Sequence, residues 1–450
     1  MSAHTVPAVS AVSAIPAAAA VPAPEVLTSR TPGGLRLAAT PLRTVPLLQA
    51  RLALRLPLHT PADLAASDVV AACWSLHPAT ARLEQAGGIA AASRRRDWLL
   101  LGLHATADLQ SLMADTLADL VHATFDARTV ERAVALVTQQ AAAAASQPSV
   151  HATRLMWSQY YGHLPPAVDP APDPALTAAI TPGDVTEAFA RFVSPHRGHL
   201  ALVGAAEPEQ AMARFAAAVS GWTVRGQDPA PGTAPGPTGP PTPRITTGHR
   251  PGQAQARIRL VAPAPPRRGI EDYAAHQIAA TVLGGSFSSR INTVLRERDG
   301  LAYRCRAATD YVDRDVVVIE ADVHARHAPR AMLLLRDLTE EFAATGPTEE
   351  EFLAARGYVT GAYAINAGSQ SGRASLLTAA VTQDLPPALT EVPRAVARLT
   401  PADVRAAAAH FAPDRFSGAV CADAAGLPGS WPWESAGSGR TTPPASSSEG

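Results

Sequence analysis

Apolar and polar residues alternate over 35–37, 48–56 and 256–261, the period of half-buried strands. Over 109–124, 129–145, 331–344 and 348–362 apolar positions instead recur three or four apart, which predicts amphipathic helices. The two periods come in the same order twice. Each time there are strands, a helix, and a short strand pair closing at His104 or His324; two helices follow, then a helix opening at TPGDV or TPADV, then a last strand. Strands and helices are grouped and do not strictly alternate. The expected class is therefore α+β, with a mainly antiparallel sheet in each half and helices packed on one of its faces.

The repetition extends to residue identities. TPGDVTEAFARFVSPHRGHLALVG starts at Thr181 and TPADVRAAAAHFAPDRFSGAVCAD at Thr400, 219 residues later. His104 and His324, in similar strand-to-helix passages, lie 220 apart, and TVERAV at Thr129 matches TEEEFL at Thr348, again 219 apart. One shared offset in three segments indicates two homologous domains, 33–225 and 244–425. The stretch between them, 226–243, is dominated by Pro, Gly and Thr and reads as a linker. Residues 1–32 lack a basic n-region and carry prolines through their apolar stretch, so they are expected to be a flexible leader and not a signal peptide. Residues 426–450 read as a disordered low-complexity tail containing two anchor-like residues, Trp431 and Trp433.

Composition narrows the function. A net charge of -1 without a basic cluster argues against nucleic acid. No run of eighteen uncharged apolar residues suggests a membrane span. Cys73, Cys305 and Cys421 are an odd number and far apart, so neither a disulfide framework nor a cysteine zinc site is expected; they read as reduced core residues of a cytoplasmic protein. The basic residues are all arginine, which with the alanine and proline content suggests a GC-rich bacterial genome.

The most informative stretch is GGSFSSRINTVLRERDGLAYR, residues 284–304. Ser286 is an expected N-cap, and Phe287, Ile291, Val294 and Leu295 share one helix face. Gly300 is placed to end the helix in a left-handed turn. Beyond it, Leu301, Tyr303 and Cys305 alternate with Ala302, Arg304 and Arg306 as in a half-buried strand. Arg296 and Tyr303 thus flank a tight turn. They are either a solvated arginine and a core tyrosine, or two polar groups aimed at one place.

Together with the duplication and the linker, the string G-G-x-F-S-S-R … L-R-E … G-L-A-Y resembles the insulinase/pitrilysin peptidases, also called inverzincins. The resemblance covers about residues 33–425 and is stronger in the second half. It implies a zinc site in the first domain, with H-x-x-E-H on a helix and a further carboxylate ligand. The two histidines share a helix face, and the glutamate acts as general base. It also implies an arginine and a tyrosine seven residues apart in the second domain. Arg296 and Tyr303 fit this pair, with Gly284, Gly285 and Ser286 expected to line the peptide path beside them. Shifting 284–297 back by the repeat offset gives 64–77, LAASDVVAACWSLH, which holds no such motif. None of the 14 histidines forms H-x-x-E-H, and Val137, Thr138 and Gln139 stand where the further ligand is expected.

The expectation is therefore a subunit without catalytic residues or metal of its own. It would supply Arg296 and Tyr303 to a zinc site on a homologous partner carrying H-x-x-E-H. The two chains would close as a clam-shell around an extended, unstructured peptide, for instance in removing a leader peptide. Two alternatives remain. One is a structural core subunit with this fold and no proteolytic role; the other is an enzyme acting alone with unusual ligands such as His59, His77 or His104.

Overall fold

The computed structural model describes residues 25–224 and 243–433, apart from 313, 424–426, 429 and 432. The linker expected at 226–243 and most of the expected leader and tail lie outside the described residues. In the first repeat β1 (Leu27–Arg30), β2 (Arg36–Pro41), β3 (Leu47–Arg55), β4 (Ile89–Arg95), β5 (Trp98–Thr106) and β6 (Gly198–Gly204) form a sheet in the order β1-β2-β6-β3-β5-β4. In the second, β7 (Ile245–His249), β8 (Gln255–Pro263), β9 (Ala302–Tyr311), β10 (Asp315–His324) and β11 (Ser417–Ala422) form a sheet in the order β7-β11-β8-β10-β9. β2 pairs with β6, and β7 with β11, in parallel; all other neighbours are antiparallel. The duplication therefore holds in topology and in register, since Gln49 faces His104 as Gln255 faces His324. β1 is additional and lies within the expected leader: Leu27 to Arg30 pair residue by residue with β2, so the ordered chain starts before residue 33.

The helices of the first repeat are α1 (Pro61–Ser75), α2 (Pro78–Gln85), α3 (Gln110–Val121), α4 (Ala127–Ser146), α5 (Pro148–Tyr161), α6 (Pro174–Ala178), α7 (Pro182–Phe192) and α8 (Pro208–Ala218). Those of the second are α9 (Ile270–Ala280), α10 (Ala328–Thr345), α11 (Glu349–Ala367), α12 (Gln370–Thr382), α13 (Glu391–Arg398) and α14 (Pro401–Ala408). Their starts follow local chemistry. Thr60/Asp63, Thr181/Asp184, Thr348/Glu351 and Thr400/Asp403 each close a capping box, so the repeated TPGDV and TPADV strings are helix starts.

The expectation of helices on one face of each sheet is incomplete. The two repeats exchange a helix across their boundary. α5 of the first repeat lies on the second sheet, where Met156, Trp157, Tyr160 and Tyr161 cluster with Val261, Val316 and Val318. α12 of the second repeat lies on the first sheet, with Ala374 and Leu377 against Ala201 and Val203. Gln370, at the start of α12, donates to the carbonyls of Leu42, Val45 and Leu47 at 2.9–3.2 Å. Each sheet thereby receives on its second face a helix supplied by the other repeat.

The tail is corrected in part. Trp431 and Trp433 are each 3% exposed and belong to the core of the second repeat. The Trp433 indole donates to the Met332 carbonyl at 2.9 Å, and that of Trp431 to the Thr247 hydroxyl at 3.0 Å. All three cysteines are buried and unpaired; burial raises the Cys73 thiol to about 12 and those of Cys305 and Cys421 to about 11, so they are poor nucleophiles. Among the described residues no helix is long and apolar enough to cross a membrane.

Candidate functional site

α9 does not end cleanly. It runs on through a widened π-helical turn over Thr281–Gly285, and after a non-helical turn the chain coils again with π geometry over Asn292–Arg298. Such turns re-aim side chains and often occur at functional sites. Gly284 allows the first of them: a Cβ there would lie 2.3 Å from the Ala307 amide nitrogen, so only glycine lets the helix end press against β9. Gly285 is less confined, with its nearest neighbour, the Thr281 hydroxyl, at 3.2 Å from such a Cβ.

The next residues form a hydrogen-bonded knot. The Ser286 carbonyl accepts from the Ser289 hydroxyl at 2.6 Å and from the Asn292 amide at 3.0 Å. Asn292 also donates to Ser289 and to the Cys305 carbonyl, and its own oxygen accepts from the Cys305 thiol at 3.3 Å. Arg290 grips Glu351 through two 2.7 Å bonds and stacks over Phe342 at 5.1 Å. Much of the motif is therefore scaffold. Sequence reasoning missed the roles of Asn292 and Arg290, because Cys305 and Glu351 lie 13 and 61 residues further along the chain.

Three residues take no part in the knot. Phe287, placed on the buried face by its spacing, is 77% exposed, because the chain at Ser286 is extended and the helix starts only beyond Phe287. Arg296 lies over the Phe287 ring at 5.1 Å, its side chain 38% exposed and its only close carboxylate, among the described residues, that of Glu297 at 3.5 Å. The charge of Arg296 also opposes the effect of burial on the Cys305 thiol.

Tyr303 is 88% exposed, against both the strand alternation and the core reading. The register explains it. β10 pairs Asp322 with Arg304 and Val323 with Ala302, leaving Tyr303 as the unpaired residue of a bulge. A bulge turns its extra residue out of the alternation. Gly300, at φ +58°, makes the left-handed turn that brings the chain from Arg296 into β9. Among the described residues no hydrogen bond joins Arg296 to Tyr303; they are held on the two arms of one turn.

The helix window 64–77 falls mostly on α1. By its place after the second core strand, α1 corresponds to α9 and starts 209 residues before it, not 220. Leu64, Ala65, Ala66, Val69, Val70, Cys73 and Trp74 of α1 are all buried, so the inward face of this helix is largely apolar packing. His77 caps α2 by accepting from the Ala79 amide, and His104 sits on β5, with burial lowering the pKa of each. Among the described residues no three His, Cys, Asp or Glu side chains cluster as a metal site would require.

Residues 179–358 match the family profile described as the peptidase M16 inactive domain. An uncharacterized zinc protease of Mycobacterium bovis is 29% identical over 157 residues, 34% of this chain; the match spans only 36% of that relative's length. An M16 inactive-domain structure from Pseudomonas fluorescens superposes with a TM-score of 0.77 at 20% identity, covering 88% of this chain and 98% of that one. A protease structure from Helicobacter pylori gives 0.79 at 14% identity, covering 89% and 100%. Residues 179–358 are thus similar to the inactive domain of M16 peptidases, and the chain shares its fold with these solved structures.

Proposed function

We propose that this chain is the non-catalytic, substrate-binding subunit of a two-chain zinc peptidase, supplying Arg296 and Tyr303 to a peptide held at the zinc site of a homologous partner. The observation that carries the reading is the division within the motif. Gly284, Ser289, Arg290 and Asn292 are engaged in structure, whereas Arg296 and Tyr303 are displayed outward by a π turn and a bulge. A stabilising role alone does not account for an exposed tyrosine at a bulge. β9 is also the edge of its sheet, open to pairing with an extended peptide. Arg296 would donate charge-assisted hydrogen bonds to substrate carbonyls, and the Tyr303 hydroxyl would donate to the developing oxyanion. The substrate would be an unstructured peptide, leader removal being one such task.

The test is to purify the tagged chain from its native lysate and assay the eluate on a flexible peptide, with and without chelator. A similar-sized partner carrying H-x-x-E-H and chelator-sensitive cleavage are expected. Arg296→Ala and Tyr303→Phe should each lower kcat by about 10²–10³ without loosening the complex. Unchanged cleavage by both variants would leave this chain a scaffold subunit.

A further inference from the structure

The helix exchange is not symmetric in what it encloses. On the second sheet α5 fills the space with Trp157, Tyr160 and Tyr161. On the first sheet α12 brings Leu377, Thr378 and Val381, and a cavity of about 750 Å³ remains between helix and strands. That volume is in the usual range of small-ligand sites.

The cavity is charged one way. Arg30, Arg36, Arg51, Arg55 and Arg197 line it, and Asp384 is the acid in its wall. Arg55 is already paired with Asp97 at 3.1 Å. Arg36 reaches the His196 carbonyl at 3.3 Å.

The duplication identifies what Arg51 lacks. Arg51 lies opposite Gly102 on β5 and Ala201 on β6. Its counterpart, two residues beyond Gln255 as Arg51 is beyond Gln49, is Arg257, opposite Asp322 on β10 and Cys421 on β11. Asp322 neutralises both Arg257 at 2.7 Å and Arg259 at 2.9 Å. In the first sheet a glycine stands in place of that aspartate, and among the described residues Arg51 bonds only hydroxyls, those of Ser375 at 2.7 Å and Ser371 at 3.2 Å. Burial depresses the pKa of Arg51, as expected where no acid stands beside the guanidinium.

We propose that this cavity binds a multiply charged carboxylate ligand, its anionic groups on Arg36 and Arg51 and its aliphatic part against Leu377 and Val381. Guanidinium forks match carboxylates in a bidentate geometry, and a partly desolvated cation without an acid gains most from an incoming anion. The carboxylates come either from the side chains of an acidic peptide or from a free di- or tricarboxylate. The site stands apart from Arg296 and Tyr303, and the inference does not rest on the peptidase reading.

The test uses the full chain without any partner and isothermal titration with tetraglutamate, citrate and inorganic phosphate. Tetraglutamate or citrate should bind, more weakly at high salt, and whichever binds identifies the source. Gly102→Asp restores the acid that the second sheet has. A Cβ there comes no nearer than 3.4 Å to any neighbour, so the strand accommodates it. Gly102→Asp and Arg51→Ala should each weaken binding about tenfold or more. Should Gly102→Asp fail to fold, Arg51→Ala and Arg36→Ala carry the test. The proposal is overturned if neither carboxylate binds, if phosphate binds as well as they do, or if these cavity variants leave the affinity intact.

Discussion

Replacing Trp433 by alanine measures how firmly the tail is part of the fold. The indole is 3% exposed, meets Phe416 edge-to-face at 5.6 Å and donates to the Met332 carbonyl at 2.9 Å. A buried tryptophan removes about 150–250 Å² from water, which at about 25 cal/mol per Å² is about 4–6 kcal/mol. The hydrogen bond adds about 1 kcal/mol. Holding the tail residue in place costs about 1–2 kcal/mol of backbone freedom and less than that for the ring. The net loss for Trp433→Ala is about 3–4 kcal/mol, within the usual span for deleting a buried tryptophan. Urea unfolding followed by far-ultraviolet circular dichroism reads it as a lower midpoint at unchanged slope. Deletion of 426–450 removes Trp431 as well and should cost more. A loss below about 1 kcal/mol in both variants would mean that the tail only rests on the domain, and the burial argument would be wrong.

Gly284→Ala forces a methyl to within 2.3 Å of the Ala307 amide nitrogen and 2.8 Å of its Cβ, and should cost about 1–3 kcal/mol as overpacking; Gly285→Ala, with 3.2 Å to a hydroxyl, should cost less, and equal melting temperatures for the two would refute the contact. Burial, with Arg36 nearby, lowers His199 to about 4, and burial, with His276 nearby, does the same for His410. Their folded pKa values lie below the ordinary 6.5, so the stability they protect is complete above pH 6.5 and declines as the pH falls toward 4. Urea midpoints between pH 7.5 and 4 should fall in that window, less steeply in His410→Gln; a midpoint that rises on acidification would contradict the sign.

The site was legible only in part. The capping strings, the strand and helix periods and the 219-residue repeat are local or self-referential, so the chain alone reveals them. The arginine and tyrosine were found by their spacing, yet Phe287 was placed on the buried helix face and Tyr303 was left between core and site, because spacing assumes a regular helix and strand. The extended chain at Ser286 and a bulge break that regularity, and the bulge is defined only by pairing with β10. Nothing local marks Arg290 as structural, because its partner Glu351 lies 61 residues further along the chain.

The sequence by itself determined that the chain is one α+β unit written twice, that H-x-x-E-H is absent, and that Arg296 and Tyr303 flank a glycine turn. These follow from residue identity, period and spacing, which need no third dimension. Only the tertiary structure decided that the repeats exchange helices, that Trp431 and Trp433 complete a core, and that Tyr303 faces outward. It alone set Arg51 against Gly102 where the other sheet sets Arg257 against Asp322. The physical reason is that burial and charge pairing depend on neighbours brought together by folding, and those partners lie dozens to hundreds of residues apart along the chain.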